Sequence, residues 1–489
     1  MASKSWQLVI LLLILWGTRI VALESLPLHN DEGLHLTRAV EVWNGHPFWN
    51  ISDGKIINHW LIAAFYPQHA PVFNGRIATL LVSMIGFAAG CSLAHRYFGP
   101  YAMLLAGVMW IASPYLFFYE RTALSDAEAG ALVVVAVWSS LRLARSGMIR
   151  DAIMTGLTLA AAILFKFTAV PFALTVILIV LILSKHPFRT RVRQLFIAGF
   201  TAGICFVPPI LYLLLRGDDF FSIALGWIGV GSGSGSPAFF ANLAQLWSQL
   251  TGFGTLAWTA FLLGGLALLV IIPTAGKTGR TLLLAALLPL ITMMVFGREV
   301  LPRHYIAVLP LALVLAGAGL GWLVNILDER REKWIISALV IVISFLAFFT
   351  FMQTSYSDPG ALSLSPEERR QFITDHSSGF GLREAVQAFP NTIEDKNIPI
   401  VASMFPDSCL RANFYAVNGL TMVCVNAPGL PQIENLLSTY GAVYVLADYA
   451  PLIGIDVQTL DAVVTKIATY PRPGETGETA SVVLWRLDR

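Results

Sequence analysis

Charge is scarce in this chain. Only 13% of residues are Asp, Glu, Lys or Arg, against 56% hydrophobic ones, whereas globular proteins run near 25% charged. A soluble core cannot absorb so much apolar surface, which excludes an ordinary water-soluble fold and points to a polytopic membrane protein in a lipid bilayer. Net charge is +2 and no basic cluster is interleaved with aromatics, so nucleic acid is not an expected partner. Four cysteines are too few for a disulfide framework. Cys91 and Cys205 lie in apolar stretches, while Cys409 and Cys424 share a polar C-terminal part and can pair if it is extracytoplasmic. No A-x-A cleavage site follows the first apolar run, which favours a retained span over a signal peptide. No phosphate-binding loop is present either: "IIPTAGKTGR" has Ile271 where a glycine is required. Metal-ligand spacing is equally absent, and no cofactor is required, although Asp31, His35 and His59 share one polar loop and leave a divalent ion open.

What the chain does have is apolar stretches near the roughly 20 residues that cross a bilayer. They fall at about 5–23, 77–94, 101–118, 127–144, 152–165, 168–184, 195–215, 255–273, 281–297, 304–324 and 334–353, about eleven in all. Lys4, Arg96, Arg142, Arg145, Arg150, Lys185, Arg189, Arg191, Arg193, Lys277, Arg280, Arg330, Arg331 and Lys333 fall on alternate connections, which the positive-inside rule assigns to the cytoplasm. The N-terminus is then cytoplasmic and everything after the last span extracytoplasmic. Residues 1–354 form the membrane domain, with 24–76 as its first outer loop, and 355–489 a soluble domain. In the latter, "IPIVASM", "LTMVCVN", "AVYVLADY" and "SVVLWRL" alternate with helix-like segments, a small α/β domain with a largely parallel sheet. The loop 216–254 contains "GVGSGSGSP", read either as a plain linker or as a mobile cover, followed by an interfacial helix from Phe239 to Leu250.

The stretch "LPLHNDEGLHLTRAVEVW" opens with Asp31 and Glu32. Asn30 can cap a helix beginning there, with the acids facing the positive end of its dipole. Asp31, His35 and Arg38 then share one face and Leu36, Val40 and Trp43 another, as in a helix lying along a membrane surface. The alternative to simple capping is a reaction site. Other connections on the same side supply Glu120, Arg121, Asp126 and Glu128, then Lys166 in "LFKFTAVP", then Arg298, Glu299, Arg303 and His304 in "FGREVLPRHY". Each has a structural reading as cap, headgroup contact or snorkelling cation. Together they describe a cavity for an anionic ligand, with Arg and Lys suited to phosphate. Trp43, Phe48, Trp49 and Trp60 can stack on a sugar or form an interfacial belt, and Asn50-Ile51-Ser52 is a glycosylation acceptor pattern.

The order of "DEG", "WNGHPFW", "FNGRIATLLVSMIGF", "YFGPYAMLLAGVMWIASPYLFFYERTALSDAEAG", "GLTLAAAILFKFTAVP" and "RHYIAVLPLALVLAGAG" resembles the GT-C glycosyltransferases, and within them the protein O-mannosyltransferase and lipid A aminoarabinose transferase branch. The resemblance covers about residues 5–325 and leaves out the C-terminal domain. It implies a polyprenyl-phosphate-linked sugar as donor, an acceptor hydroxyl on a protein, glycolipid or glycan, and inversion at the anomeric carbon. It places Asp31 as base with Glu32 its acidic neighbour. Arg121, Asp126, Lys166, Arg298, Arg303, His304 and Tyr305 become donor or phosphate ligands, and His35, Lys55 and His59 substrate contacts. Around "DGKIINHWL" this chain lacks the Pro-Pro pair common in such enzymes. The competing class is a transporter or flippase of an anionic lipid-linked sugar, against which no internal repeat is evident.

Overall fold

The computed structural model describes residues 2–48, 54–219, 222–223, 239–253, 256–272, 276–297, 300, 302–404, 408–415, 420–426, 429–448, 457, 460–474 and 481–489. The chain forms two compact units. The first holds Met1–Leu23, Glu41–Tyr66 and Asn74–Gln353, and the second Glu24–Val40, Pro67–Phe73 and Thr354–Arg489.

The first unit is helical. Its helices are α1 (Ala2–Ile20), the end of α2 (Asn30–Trp43), α3 (Ile56–Ala64), α4 (Pro71–Phe98), α5 (Pro100–Ile111), α6 (Pro114–Glu120), α7 (Ser125–Ser146), α8 (Ile149–Phe165), α9 (Phe172–Leu183), α10 (Phe188–Leu215), α11 (Phe239–Phe253), α12 (Leu256–Ile271), α13 (Gly276–Phe296), α14 (Leu309–Ile326) and α15 (Arg330–Ser357). Each stretch expected to span overlaps a helix, and 101–118 overlaps two. By length and composition, six helices among the described residues can cross a membrane, or seven if the bent pair α5 and α6 is one span; Trp6–Ile20, Phe167–Leu183 and Leu256–Ile271 are apolar but shorter. The protein is a multi-pass integral membrane protein.

Small residues set the packing of this bundle. Gly317 and Gly321 of α14 meet the backbone of Ala106 and Ala102 of α5, and Gly319 meets the carbonyl of Gly265 in α12, so closely that a Cβ on any of these glycines would overlap its neighbour. Without a hydrophobic force between helices in lipid, such close backbone approach supplies the dispersion contact that holds them. The expected span 101–118 is broken instead of straight, because Pro114 lacks an N–H and Ser113 Oγ accepts the Leu116 N–H (3.2 Å); α5 and α6 diverge by 65°. Arg19 lies in the last turn of α1. It is fully buried, donating to Glu120 (2.8 Å) and the Ile111 carbonyl (2.9 Å) while Trp110 donates to the same carboxylate (2.7 Å). That network ties α1 to the α5–α6 elbow.

The second unit is built on a five-stranded sheet of order β2-β1-β3-β5-β4, with β1 Ile400–Ser403, β2 Met422–Val425, β3 Ala442–Asp448, β4 Val463–Pro471 and β5 Ser481–Asp488. β1 is parallel to β2 and β3, but β5 is antiparallel to β3 and to β4, so the sheet is mixed and not largely parallel. Alternation divides its two cores. Ile400, Tyr444 and Leu484 pack with Leu382, Val386 and Phe389 of α16 (Leu382–Thr392) and Ala412 of α17 (Ser408–Tyr415), while Val401, Val443 and Val445 pack with Ile433 and Leu437 of α18 (Leu430–Tyr440). Cys409 and Cys424 form a disulfide that joins α17 to β2. Unlike the expected division, residues 24–40 and 67–73 of the first polar loop belong to this unit.

Candidate active site

In the first unit, polar side chains converge at the ends of four elements. α8 stops at Phe165 because Lys166 adopts an extended conformation (φ −161°, ψ 130°), and Pro171 precedes α9. Lys166 Nζ donates to the carboxylate of Asp126, in the first turn of α7; both side chains are almost entirely buried. Burial pulls the Lys166 ammonium down to about 8. Asp126 opposes that effect, and the nearby charges of Arg303 and Lys55 reinforce it. His304 is held well below the ordinary histidine range by burial first and then by Lys166, Arg303 and Lys55, so it is neutral at pH 7. Three permanent or near-permanent cations, one carboxylate and one neutral imidazole therefore act on one another here. They come from the start of α3, the start of α7, the α8–α9 break and the 3-10 turn Pro302–Ala307.

That turn, which the sequence places inside a span beginning at residue 304, is pinned from several sides. Tyr305 Oη donates to the Asn242 carbonyl (2.7 Å), Tyr115 donates to the Pro302 carbonyl, and Gly130 of α7 leaves no room for a Cβ beside the Ile306 carbonyl. Tyr305 thus holds the turn through its hydroxyl. Arg121 is aimed differently from Asp126. It donates to the carbonyls of Arg19 (3.2 Å), Val21 (2.6 Å) and Ala22, capping the end of α1. His59 is buried on α3 beside Asn58, whose amide donates to Glu128 (2.7 Å), with Thr79 on the other oxygen (3.3 Å). Asn58 and Thr79 gave no sequence signal, since neither carries charge. Phe48 packs against Trp60 (5.7 Å) and Tyr212 (5.1 Å). Arg298, Glu299, Trp49, the acceptor pattern at 50–52 and the Gly-Ser segment 229–237 lie outside the described residues.

In the second unit, α2 opens at Asn30. The expected cap is replaced: Asn30 Oδ1 makes no hydrogen bond, and Glu32 instead accepts the His29 N–H (3.0 Å) while the Asp31 N–H bonds to His29 Nδ1 (3.1 Å). Glu32 is fully buried in this role, the reciprocal half of a capping box. Asp31 is half-buried at the first turn. His35 and Arg38 are buried as well, so α2 does not present them on an open polar face. Among the described residues no group of three or more His, Cys, Asp and Glu is arranged to hold a metal ion.

Residues 55–212, which include Lys55, Arg121, Asp126 and Lys166, match the family described as dolichyl-phosphate-mannose-protein mannosyltransferase. No curated protein sequence matches. Among solved structures, ArnT from Cupriavidus metallidurans in the apo state aligns with TM-score 0.67 at 15% identity, covering 99% of this chain and 98% of that one. The same protein bound to undecaprenyl phosphate aligns with TM-score 0.63 at 14% identity over the same shares. The arabinofuranosyltransferase AftD from Mycobacteria aligns with TM-score 0.50 at 14% identity, over 99% of this chain and 41% of that one. The chain shares the fold of ArnT over nearly its whole length. The likeness extends through the C-terminal domain, beyond the residue near 325 where the sequence motifs stop.

Proposed function

We propose that this protein is a membrane glycosyltransferase moving a sugar from a polyprenyl-phosphate donor to an acceptor hydroxyl on the extracytoplasmic side, with inversion and with Asp31 as base. The observation that carries this reading is the convergence of Asp126, Lys55, Arg303 and His304 around Lys166 within a GT-C fold. A lipid-linked sugar phosphate is a monoanionic diester; when its anomeric bond breaks, the departing polyprenyl phosphate gains a second negative charge. Cations placed in advance of that charge stabilise the transition state, and one such donor contributes on the order of 10²–10³ in rate. No general acid is then needed.

The acceptor oxygen forms the new bond to the anomeric carbon from the face opposite the phosphate, and its proton passes to the Asp31 carboxylate. A base with an ordinary pKa of about 3.9 is weak towards a hydroxyl, so proton transfer follows bond formation and contributes about 10²–10⁴-fold. Asp126 keeps the Lys166 ammonium in place. His304, being neutral, offers a hydrogen bond without adding charge. That a solved protein of this fold is bound to undecaprenyl phosphate agrees with the donor class. The Cys409–Cys424 disulfide suits an oxidising compartment and so supports an extracytoplasmic C-terminal domain, as the alternating basic loops support a cytoplasmic N-terminus. The acceptor is a protein, glycolipid or glycan hydroxyl.

The test is reconstitution with radiolabelled polyprenyl-phosphate sugars and a panel of acceptors. Acceptor-dependent loss of label from the lipid supports the transferase. Movement of intact labelled lipid across vesicles, without cleavage, would replace it with the transporter reading.

A further inference from the structure

In the second unit, one buried arginine packs against the start of α2. Arg411, on α17, has no solvent exposure. Its Nη1 donates to the carbonyls of Ser378 (2.7 Å) and Ser377 (3.3 Å), and its Nη2 to the His376 carbonyl (2.9 Å) and the Asp448 carboxylate (3.2 Å). The Ser377 carbonyl in turn accepts the N–H of Asn30 (2.9 Å), the residue preceding Asp31. From the same helix Tyr415 Oη bonds to the Leu28 N–H (2.7 Å). Asp448, at the end of β3, is fully buried and also takes Ser408 Oγ (3.1 Å) and Arg472. A rigid path therefore runs from β3 through Arg411 to the first turn of α2.

Gly33 shows how close this contact is. A Cβ added there would lie 2.5 Å from Arg411 Cγ, in the middle of the side chain, where a shift would drag the guanidinium off its carbonyls. The third residue of the Asp-Glu-Gly run is thus small because the arginine stem passes over it. α17 cannot drift to relieve the contact, since the Cys409 disulfide anchors it two residues away.

We infer that Arg411 is a positioning residue for Asp31: by holding residues 376–378 and pressing on Gly33 it fixes the start of α2, and so the direction of the carboxylate. This rests on the reading of Asp31 as base. Arg411 touches no reacting group, and its effect is on orientation, where displacement by about 1 Å costs on the order of 10²-fold in rate. It gives the C-terminal domain a part in the reaction without any substrate contact.

The test uses the full chain in detergent with Arg411→Lys, which keeps the charge beside Asp448 but loses the planar fork, and with Gly33→Ala. Alanine is the better helix former, so a role limited to helix stability predicts slower amide exchange in α2 and unchanged turnover. Positioning predicts the opposite for both variants: faster hydrogen exchange at residues 30–34, kcat lowered about 10- to 100-fold, and donor KM within about twofold of the parent. Unchanged exchange, or faster exchange with unchanged kcat, overturns the proposal. If exchange rises in both variants while Asp31→Asn turns over normally, the hold on α2 stands and the base assignment alone falls.

Discussion

Lys166 Nζ is ion-paired with Asp126 across forty residues of sequence, with the lysine side chain 11% and the aspartate side chain 4% exposed. Burial keeps the ammonium near pH 8 in the absence of donor, with Arg303 and Lys55 pushing the same way. Only the protonated form attracts a phosphate, so kcat/KM for the donor should fall above pH 8, by about tenfold at pH 9, as one proton is lost. Lys166→Arg, which does not titrate in this range, should remove that limb. The decline is not unfolding: with the folded pKa below the ordinary 10.5, the unfolded chain binds more protons between those values, and this group's contribution to stability rises with pH. An alkaline limb that persists in Lys166→Arg would assign it elsewhere.

Arg303 belongs to the same charged group but sits on a turn held by Tyr305 and Tyr115. Arg303→Ala should chiefly raise donor KM, by on the order of tenfold or more, since a charge-assisted bond to phosphate is worth roughly 1.5–3 kcal/mol. Titration of detergent-solubilised protein with a fluorescent polyprenyl phosphate checks this, and unchanged affinity removes Arg303 from the phosphate site. Tyr305→Phe separates hold from contact: it should lower thermal stability without abolishing binding.

Away from that group, Arg19 and Glu120 form a buried pair with Trp110 completing the carboxylate's bonds. Deleting one partner leaves an uncompensated charge among α1, α5 and α6, at a cost of about 3–5 kcal/mol. Arg19→Ala should therefore lower the melting temperature in detergent markedly, whereas Arg19→Ala with Glu120→Leu should recover part of it. Equal losses in the two would mean that the pair is not what holds α1.

These residues also mark how far sequence reasoning reaches. The helices of the first unit were legible because apolar runs of spanning length have few other uses, and Lys166 and Asp126 because a charge between two such runs stands out. Arg121 is expected, like Asp126, to be a donor ligand. Its guanidinium instead closes the end of α1, a helix a hundred residues earlier, which no local pattern encodes. Glu32 was visible as an acid but not as the partner of the His29 N–H. β4 has no counterpart among the expected strands because an edge strand with Thr465, Lys466 and Thr469 lacks the apolar run that betrays the other four strands of the sheet. Nothing in residues 24–40 announces that their bonds go to Tyr415, Arg383 and Ser377, because those contacts are to backbone atoms, and backbone atoms are the same in every sequence.

The most direct measurement is turnover of a labelled polyprenyl-phosphate sugar by the parent protein and by Asp31→Asn, with donor binding followed in the same samples. Acceptor-dependent release of polyprenyl phosphate matched one for one by inverted product, lost at least about 100-fold in Asp31→Asn while donor binding is retained, is the predicted result. Near-normal turnover by Asp31→Asn, or product with retained anomeric configuration, would contradict it.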